Sequence, residues 1–192
     1  MKENTLTLKN MVSKSCLKLI ELYFKNIEGI VIQHVYLGKV ILLQDQIKVS
    51  DKQLKEHFNE IGFEVVEDED VILTEKIKVA AIELIVFSNN NNSLIRNSDY
   101  ISDRVQESYD KISKVFSRVT GTTLEKYIIL LKIEKAKELV LEGKLTLSEI
   151  SYQLGYSSVQ YLSRQFKQIT GYTFSDFKEL EHPPRTLLEH II

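Results

Sequence analysis

Cysteine is nearly absent: Cys16 is the only one in 192 residues. An internal disulfide framework is therefore excluded, and a lone thiol fits a reducing compartment. Long apolar runs are missing too, since no stretch reaches the roughly 18–20 residues that a membrane helix requires. No charged N-terminal segment leads into an apolar core and a cleavage site, so the expected location is cytoplasmic, with no membrane partner. Signatures of catalysis are also lacking. There is no glycine-rich phosphate loop and no nucleophile beside a recognisable base. The histidines, His34, His57, His182 and His190, show no metal-ligand spacing. The acidic run Glu67 to Asp70 reads as a solvated turn. These absences predict no enzyme and no cofactor.

What is present is an ordinary globular composition, 43% hydrophobic and 27% charged, enough for one or two packed domains. A formal net charge of −2 argues weakly against a polyanionic partner. Its distribution is uneven: residues 1–88 hold 11 lysines against 14 acids (net −3), whereas residues 100–180 hold 12 Lys or Arg against 10 acids (net +2). The C-terminal part therefore remains open to nucleic acid.

The segment "SNNNNSLIRNSD" (88–99) interrupts all periodicity and reads as a linker. Before it, strand and helix signals alternate. "TLTLKNM" (5–11) alternates apolar and polar residues, and Ser15 to Asn26 has helical spacing. "IVIQHVYL" (30–37) and "KVILLQ" (39–44) flank Gly38 as a hairpin. Ser50 is placed to cap a helix that ends at Gly62, and "FEVVED" (63–68) closes the series as a short strand. The order βαββαβ implies an α+β ferredoxin-like domain over residues 1–70. Residues 71–88 then form a helix with two apolar stripes. Leu73, Ile77, Ala80, Leu84 and Phe87 make one, with Val79, Ile82 and Val86 nearly opposite. Such a helix covers two surfaces, by packing between domains or by homodimer formation.

After the linker every signal is helical, and the pattern repeats. "SYDKISKVFSRVTG" (108–121) and "SVQYLSRQFKQITG" (158–171) share a Ser start, an aliphatic–Ser pair, a Phe and a terminal Thr-Gly at a period of 50. Each follows a shorter helical segment, Tyr100 to Val105 and Leu147 to Leu154, and precedes a Thr-started one. In the second copy Val159, Leu162, Phe166 and Ile169 keep a core-facing spacing, whereas Gln160, Arg164 and Lys167 point outward. A short helix, a tight turn and a second helix with a polar outer face is the helix-turn-helix arrangement, whose second helix enters the major groove. Gln forks to adenine and Arg to guanine there, while small hydroxyls at helix starts meet phosphate. Each such residue alone reads more readily as part of a solvated helix face; the whole constellation reads as a DNA interface, all-α and tandem, over residues 100–182, with a tail at 183–192.

On these residues the C-terminal part resembles the DNA-binding domain of AraC-type transcription regulators, a bacterial family. "LTLSEISYQLGYSSVQYLSRQFKQITGYTFSDFKEL" is similar to the second half of that domain, and residues 100–143 to the first. The resemblance implies double-stranded DNA as partner. It places Asp110, Ser113 and Lys114, and Val159, Gln160, Ser163 and Arg164, toward the bases. Ser108, Lys111, Ser157, Ser158 and Lys167 fall toward backbone phosphates. The sequence departs from the family at Gln106, where a turn glycine is usual, and at Lys132, where arginine is frequent. Asp110 can accept only from cytosine or must repel phosphate, so the second unit is expected to carry more of the specificity.

The N-terminal part resembles heavy-metal-associated domains through "MVSKSC", in which Met11 and Cys16 match but Ser13 replaces the first cysteine. Soft metals need two thiolates in such a loop, so no metal site is expected within one chain. The domain would then serve an unknown effector or a protein contact. The rival to a DNA-binding role is a metal-handling or protein-interaction adaptor whose helical half binds protein.

Overall fold

The computed structural model describes residues 1–87 and 96–192, which divide into two compact units, Met1–Val79 and Ala80–Ile192. Of the linker expected at 88–99, residues 88–95, with all four asparagines, lie outside the described residues. Of the remainder of that linker, Arg96 is extended and Asn97 to Asp99 are the first residues of a helix.

The first unit runs β1 (Lys2–Leu8), α1 (Lys14–Phe24), β2 (Ile30–Tyr36), β3 (Lys39–Gln44), α2 (Asp51–Glu60), β4 (Val65–Val66) and α3 (Glu69–Ile82), the last of which crosses the unit boundary. Its four strands lie in the order β2-β3-β1-β4, and every neighbouring pair is antiparallel. Alternation in β3 buries Val40, Leu42 and Gln44 on one face. There Val40 and Leu42 meet Ile20 and Phe24 of α1 and Leu54 and Phe58 of α2 in one core. The Phe24 and Phe58 rings lie 4.6 Å apart. Gln44 is the polar exception in this layer. Its amide donates to Val49 O at 2.9 Å and to Asp51 Oδ1 at 3.0 Å, so burial leaves it satisfied.

Glycine is required at position 38 for two reasons, the β2–β3 turn and the close approach of Val79. Gly38 has a φ of +73°, and a β-carbon there would stand 2.9 Å from Val79 Cγ2. Ser50 caps α2 with a complete capping box to Gln53, as its position predicts. Two strands differ from expectation. β1 starts at Lys2 rather than Thr5 and ends before Lys9, because it pairs with β3 from Lys2↔Gln44 to Thr7↔Lys39 and Asn10, at φ 68°, then turns the chain. Of the strand expected at 63–68, only Val65 and Val66 pair.

The helix expected at 71–88 is observed as α3 followed by a π-helical turn, Glu83–Phe87. Leu73, Ile77, Ala80, Ile82 and Leu84 are buried within a single chain. Val79 and Val86 are half-buried.

The second unit continues with α4 (Asn97–Val105), α5 (Tyr109–Thr120), α6 (Leu124–Glu142), α7 (Leu147–Gln153), α8 (Val159–Thr170) and α9 (Phe174–Glu179). α6 is its central element, burying Leu124, Tyr127, Ile128 and Leu131 in its first half and Ile133, Ala136, Leu139 and Val140 in its second. The second half shares a core with Ile150, Leu162, Phe166, Phe174 and Phe177. Glu134 is buried in α6 beside Lys137, and it accepts from Arg185 Nε at 3.3 Å and Thr186 N–H at 3.1 Å. The C-terminal segment is thereby tied to α6. No described helix is long and apolar enough to cross a membrane.

Candidate nucleic-acid interface

The 50-residue repeat is a repeat of physical devices. Ser108 and Ser158 each cap the following helix, accepting from Lys111 N–H at 3.4 Å and Tyr161 N–H at 3.2 Å. α5 and α8 are both 12 residues long and end on a glycine in the left-handed conformation, Gly121 and Gly171. At each exit a threonine hydroxyl donates back to a phenylalanine carbonyl: Thr120 to Phe116 O at 2.8 Å and Thr170 to Phe166 O at 2.7 Å. Thr123 and Thr173 then cap α6 and α9. The anchors repeat as well, since Ile112 and Phe116 match Leu162 and Phe166, all fully buried.

The turns between paired helices differ. Three residues separate Val105 from Tyr109, and five separate Gln153 from Val159. Gln106 holds φ 62°, the conformation Gly155 holds at φ 68°. The N–H of Gln106 donates to Ser102 O at 2.8 Å, which closes the helix end. A side chain in this region costs about 1–2 kcal/mol, against about 0.5–1 kcal/mol of extra chain entropy for glycine. Gln106→Gly is therefore expected to raise stability by up to about 1 kcal/mol, and Gln106→Val to lower it by at least about 1 kcal/mol. Urea midpoints at unchanged m-value measure both; a valine variant as stable as the parent would contradict the left-handed turn.

The outer faces carry the polar residues selected from sequence. On α5, Asp110 and Lys114 are exposed and Ser113 is half-buried, all within one turn and hence on one face. On α8, Gln160 and Arg164 are exposed, with Val159 and Ser163 half-buried beside them. Lys167 is exposed one turn further along. Ser157 is exposed just ahead of the α8 cap. Two placements modify the expectation. The Lys111 ammonium pairs with Glu107 at 2.6 Å, which offsets its charge at the start of α5. Ile169, expected in the core, is 39% exposed; it lies in the last turn of α8, outside the core cluster that holds Leu162 and Phe166.

Sequence reasoning missed Tyr161. Its exposed ring carries the Arg164 guanidinium at 5.4 Å, an i,i+3 contact that orients the arginine along α8. The signal was the aromatic three positions before an outward arginine. It also passed over Tyr109, whose hydroxyl donates to Glu125; burial and that carboxylate push the phenol up to about 12.

In the N-terminal loop, the Met11 side chain is in the core, 2% exposed. Ser13 Oγ and Cys16 Sγ lie 3.3 Å apart. Among the described residues, no group of three or more His, Cys, Asp or Glu side chains is placed to hold a metal ion.

Residues 101–180 match the helix-turn-helix domain family. The second unit thus contains a helix-turn-helix domain. The chain is similar to the transcriptional activator RhrA of Rhizobium meliloti (strain 1021), 31% identical over 105 residues that cover 54% of this chain and 33% of that one. It is also similar to the xylose operon regulatory protein of Escherichia coli (strain K12), 32% identical over 82 residues, 43% of this chain and 21% of that one. A third relative is an uncharacterized HTH-type transcriptional regulator in the cgkA 5' region of Pseudoalteromonas carrageenovora, 31% identical over 93 residues, 48% of this chain and 55% of that one. The chain spans 33%, 21% and 55% of the length of these three relatives respectively.

Proposed function

We propose that this protein is a sequence-specific transcription regulator of AraC type that reads two successive major grooves of duplex DNA with α5 and α8. The observation that carries the proposal is the duplicated capped helix, each copy anchored by a buried Phe and presenting polar side chains outward. In this reading Asp110, Ser113, Lys114, Val159, Gln160, Ser163 and Arg164 face base edges, and Ser108, Lys111, Ser157, Ser158 and Lys167 face phosphate. The Ser108 and Ser158 oxygens already accept helix N–H groups, but each hydroxyl proton is free to donate to a phosphate oxygen. The pairing of Lys111 with Glu107 and the carboxylate of Asp110 weaken the first helix as a polyanion contact. The second helix therefore carries more of the specificity.

The first unit fits a ferredoxin-like domain, supported by its strand order β2-β3-β1-β4 and antiparallel pairing. We assign residues 1–70 to that domain, 71–99 to the connection, 100–182 to DNA binding and 183–192 to a tail. With Met11 committed to the core and Ser13 in place of a thiol, the loop resembling heavy-metal-associated domains lacks a soft-metal ligand set. An effector or protein partner at this domain, or a homodimer through helix 71–88, would supply regulatory input.

Lys167→Ala tests the DNA reading through its electrostatics. As a phosphate contact, its loss should weaken binding alike on all duplex sequences and reduce the slope of log K against log salt by about one. Fluorescence anisotropy across a salt series measures this. An unchanged slope would remove Lys167 from the interface.

A further inference from the structure

A cleft of about 460 Å³ opens in the second unit between α6 and the two helix-turn-helix segments. Tyr109, the first residue of α5, and Ser157 and Tyr161, at the start of α8, lie on its wall with Lys132, Gln165 and Asn97. Lys132 projects from α6 beneath the second turn, where a β-carbon on Gly155 would meet its Nζ at 3.6 Å. The ammonium lies 5.3 Å from the centre of the Tyr156 ring. Among the described residues, no carboxylate forms an ion pair with it. Burial holds its pKa below the ordinary lysine value. The acid on the cleft wall, Glu125, is engaged by the Tyr109 hydroxyl, which keeps its own pKa low.

A half-buried cation without a counter-charge is costly unless an anion completes it. We propose that the Lys132 cleft is a phosphate seat, occupied by a backbone phosphate of the duplex where it passes between the two reading helices. This rests on the DNA-binding reading above. Recognition helices meet DNA with their N-terminal turns, and both α5 and α8 begin at the wall of this cleft. A duplex engaging both crosses the cleft mouth. A lysine is suited to the position because it meets phosphate as a point charge from a flexible stem, without needing the planar fork of arginine.

The test uses the full chain, a duplex selected by the parent protein, and the variants Lys132→Met and Lys132→Arg. Lys132→Met should weaken binding equally on selected and unrelated duplexes and reduce the salt slope by about one, whereas Lys132→Arg should keep the slope. Melting temperature checks folding independently; removal of an unpaired, half-buried charge should leave Lys132→Met at least as stable as the parent. A second arm titrates inorganic phosphate against chloride at constant ionic strength and reads the melting temperature. A rise in the parent but not in Lys132→Met would show that a free phosphate group fills the seat. A folded Lys132→Met variant with unchanged salt slope and no phosphate response overturns the proposal. If the parent selects no duplex, the DNA-binding reading has failed separately. The phosphate arm then decides alone: a Lys132-dependent rise sustains the anion seat, and its absence ends it.

Discussion

Arg164→Ala is expected to cost about 1–3 kcal/mol of DNA-binding free energy and to relax sequence preference at one base-pair position. The side chain is exposed on the outer face of α8, one turn from Gln160, and the Tyr161 ring holds its guanidinium along the helix. Restricting the arginine in this way lowers the ordering cost of a bidentate contact to guanine. Lys should not substitute for it: it keeps the charge but loses the planar fork, so Arg164→Lys is expected to preserve overall affinity better than preference at that position. Competition titrations against single-base variants of the preferred duplex measure both effects. Equal weakening on every duplex would assign Arg164 to phosphate and contradict a base-reading role.

Phe166→Ala should have the largest effect on stability, lowering that of the second unit by about 3–5 kcal/mol. The ring is fully buried, stacked on Phe174 at 3.9 Å and edge-on to Phe177 at 5.4 Å. It belongs to the core shared by α6, α7, α8 and α9, so truncation removes contacts to several elements at once and leaves a cavity. Because α8 is held chiefly through Leu162 and Phe166, DNA binding should fall with it. Chemical denaturation followed by far-UV circular dichroism measures the loss, with the two units allowed separate transitions. A loss below about 1 kcal/mol would mean that α8 is not anchored through this ring.

How much of this was legible in the chain depended on whether the cause was local. Ser50, Ser108, Ser158 and Gly38 act within a few residues of themselves, so their capping and turn roles could be read from neighbouring letters. The tandem unit was legible because its devices recur at a fixed spacing, from Ser108/Ser158 to Thr123/Thr173. Where the cause lies across the fold, the letters are silent. The register shift between Ile32 and His34 in the β2–β3 pairing inserts an extra residue that alternation alone does not reveal. Asn97 to Asp99 look like linker but form the first turn of α4. Glu134 meets Arg185 across 51 positions of sequence, which no periodicity encodes. In the sequence Lys132 stands out only as a replacement for arginine, because its burial beneath Gly155 is a tertiary fact.

Within the candidate interface, the polar face of α8 followed from helical spacing, whereas the contact that orients it did not. Tyr161 sits at a position that reads equally well as solvated surface, and only the ring-to-guanidinium geometry distinguishes the two. The weakness of the first helix was visible in part: Asp110 is plain in the sequence, but the pairing of Lys111 with Glu107 required the structure.

The most direct measurement is selection of bound duplexes from a random pool by the full chain, followed by footprinting of the preferred sequence. Two reading helices in successive major grooves should enrich two short elements about one helical turn, 10–10.5 base pairs, apart. The element protected by α8, identified by its loss in Arg164→Ala, should be the more strongly constrained. Enrichment of no sequence by a folded protein, or of elements whose spacing drifts freely, would contradict tandem reading of one duplex face.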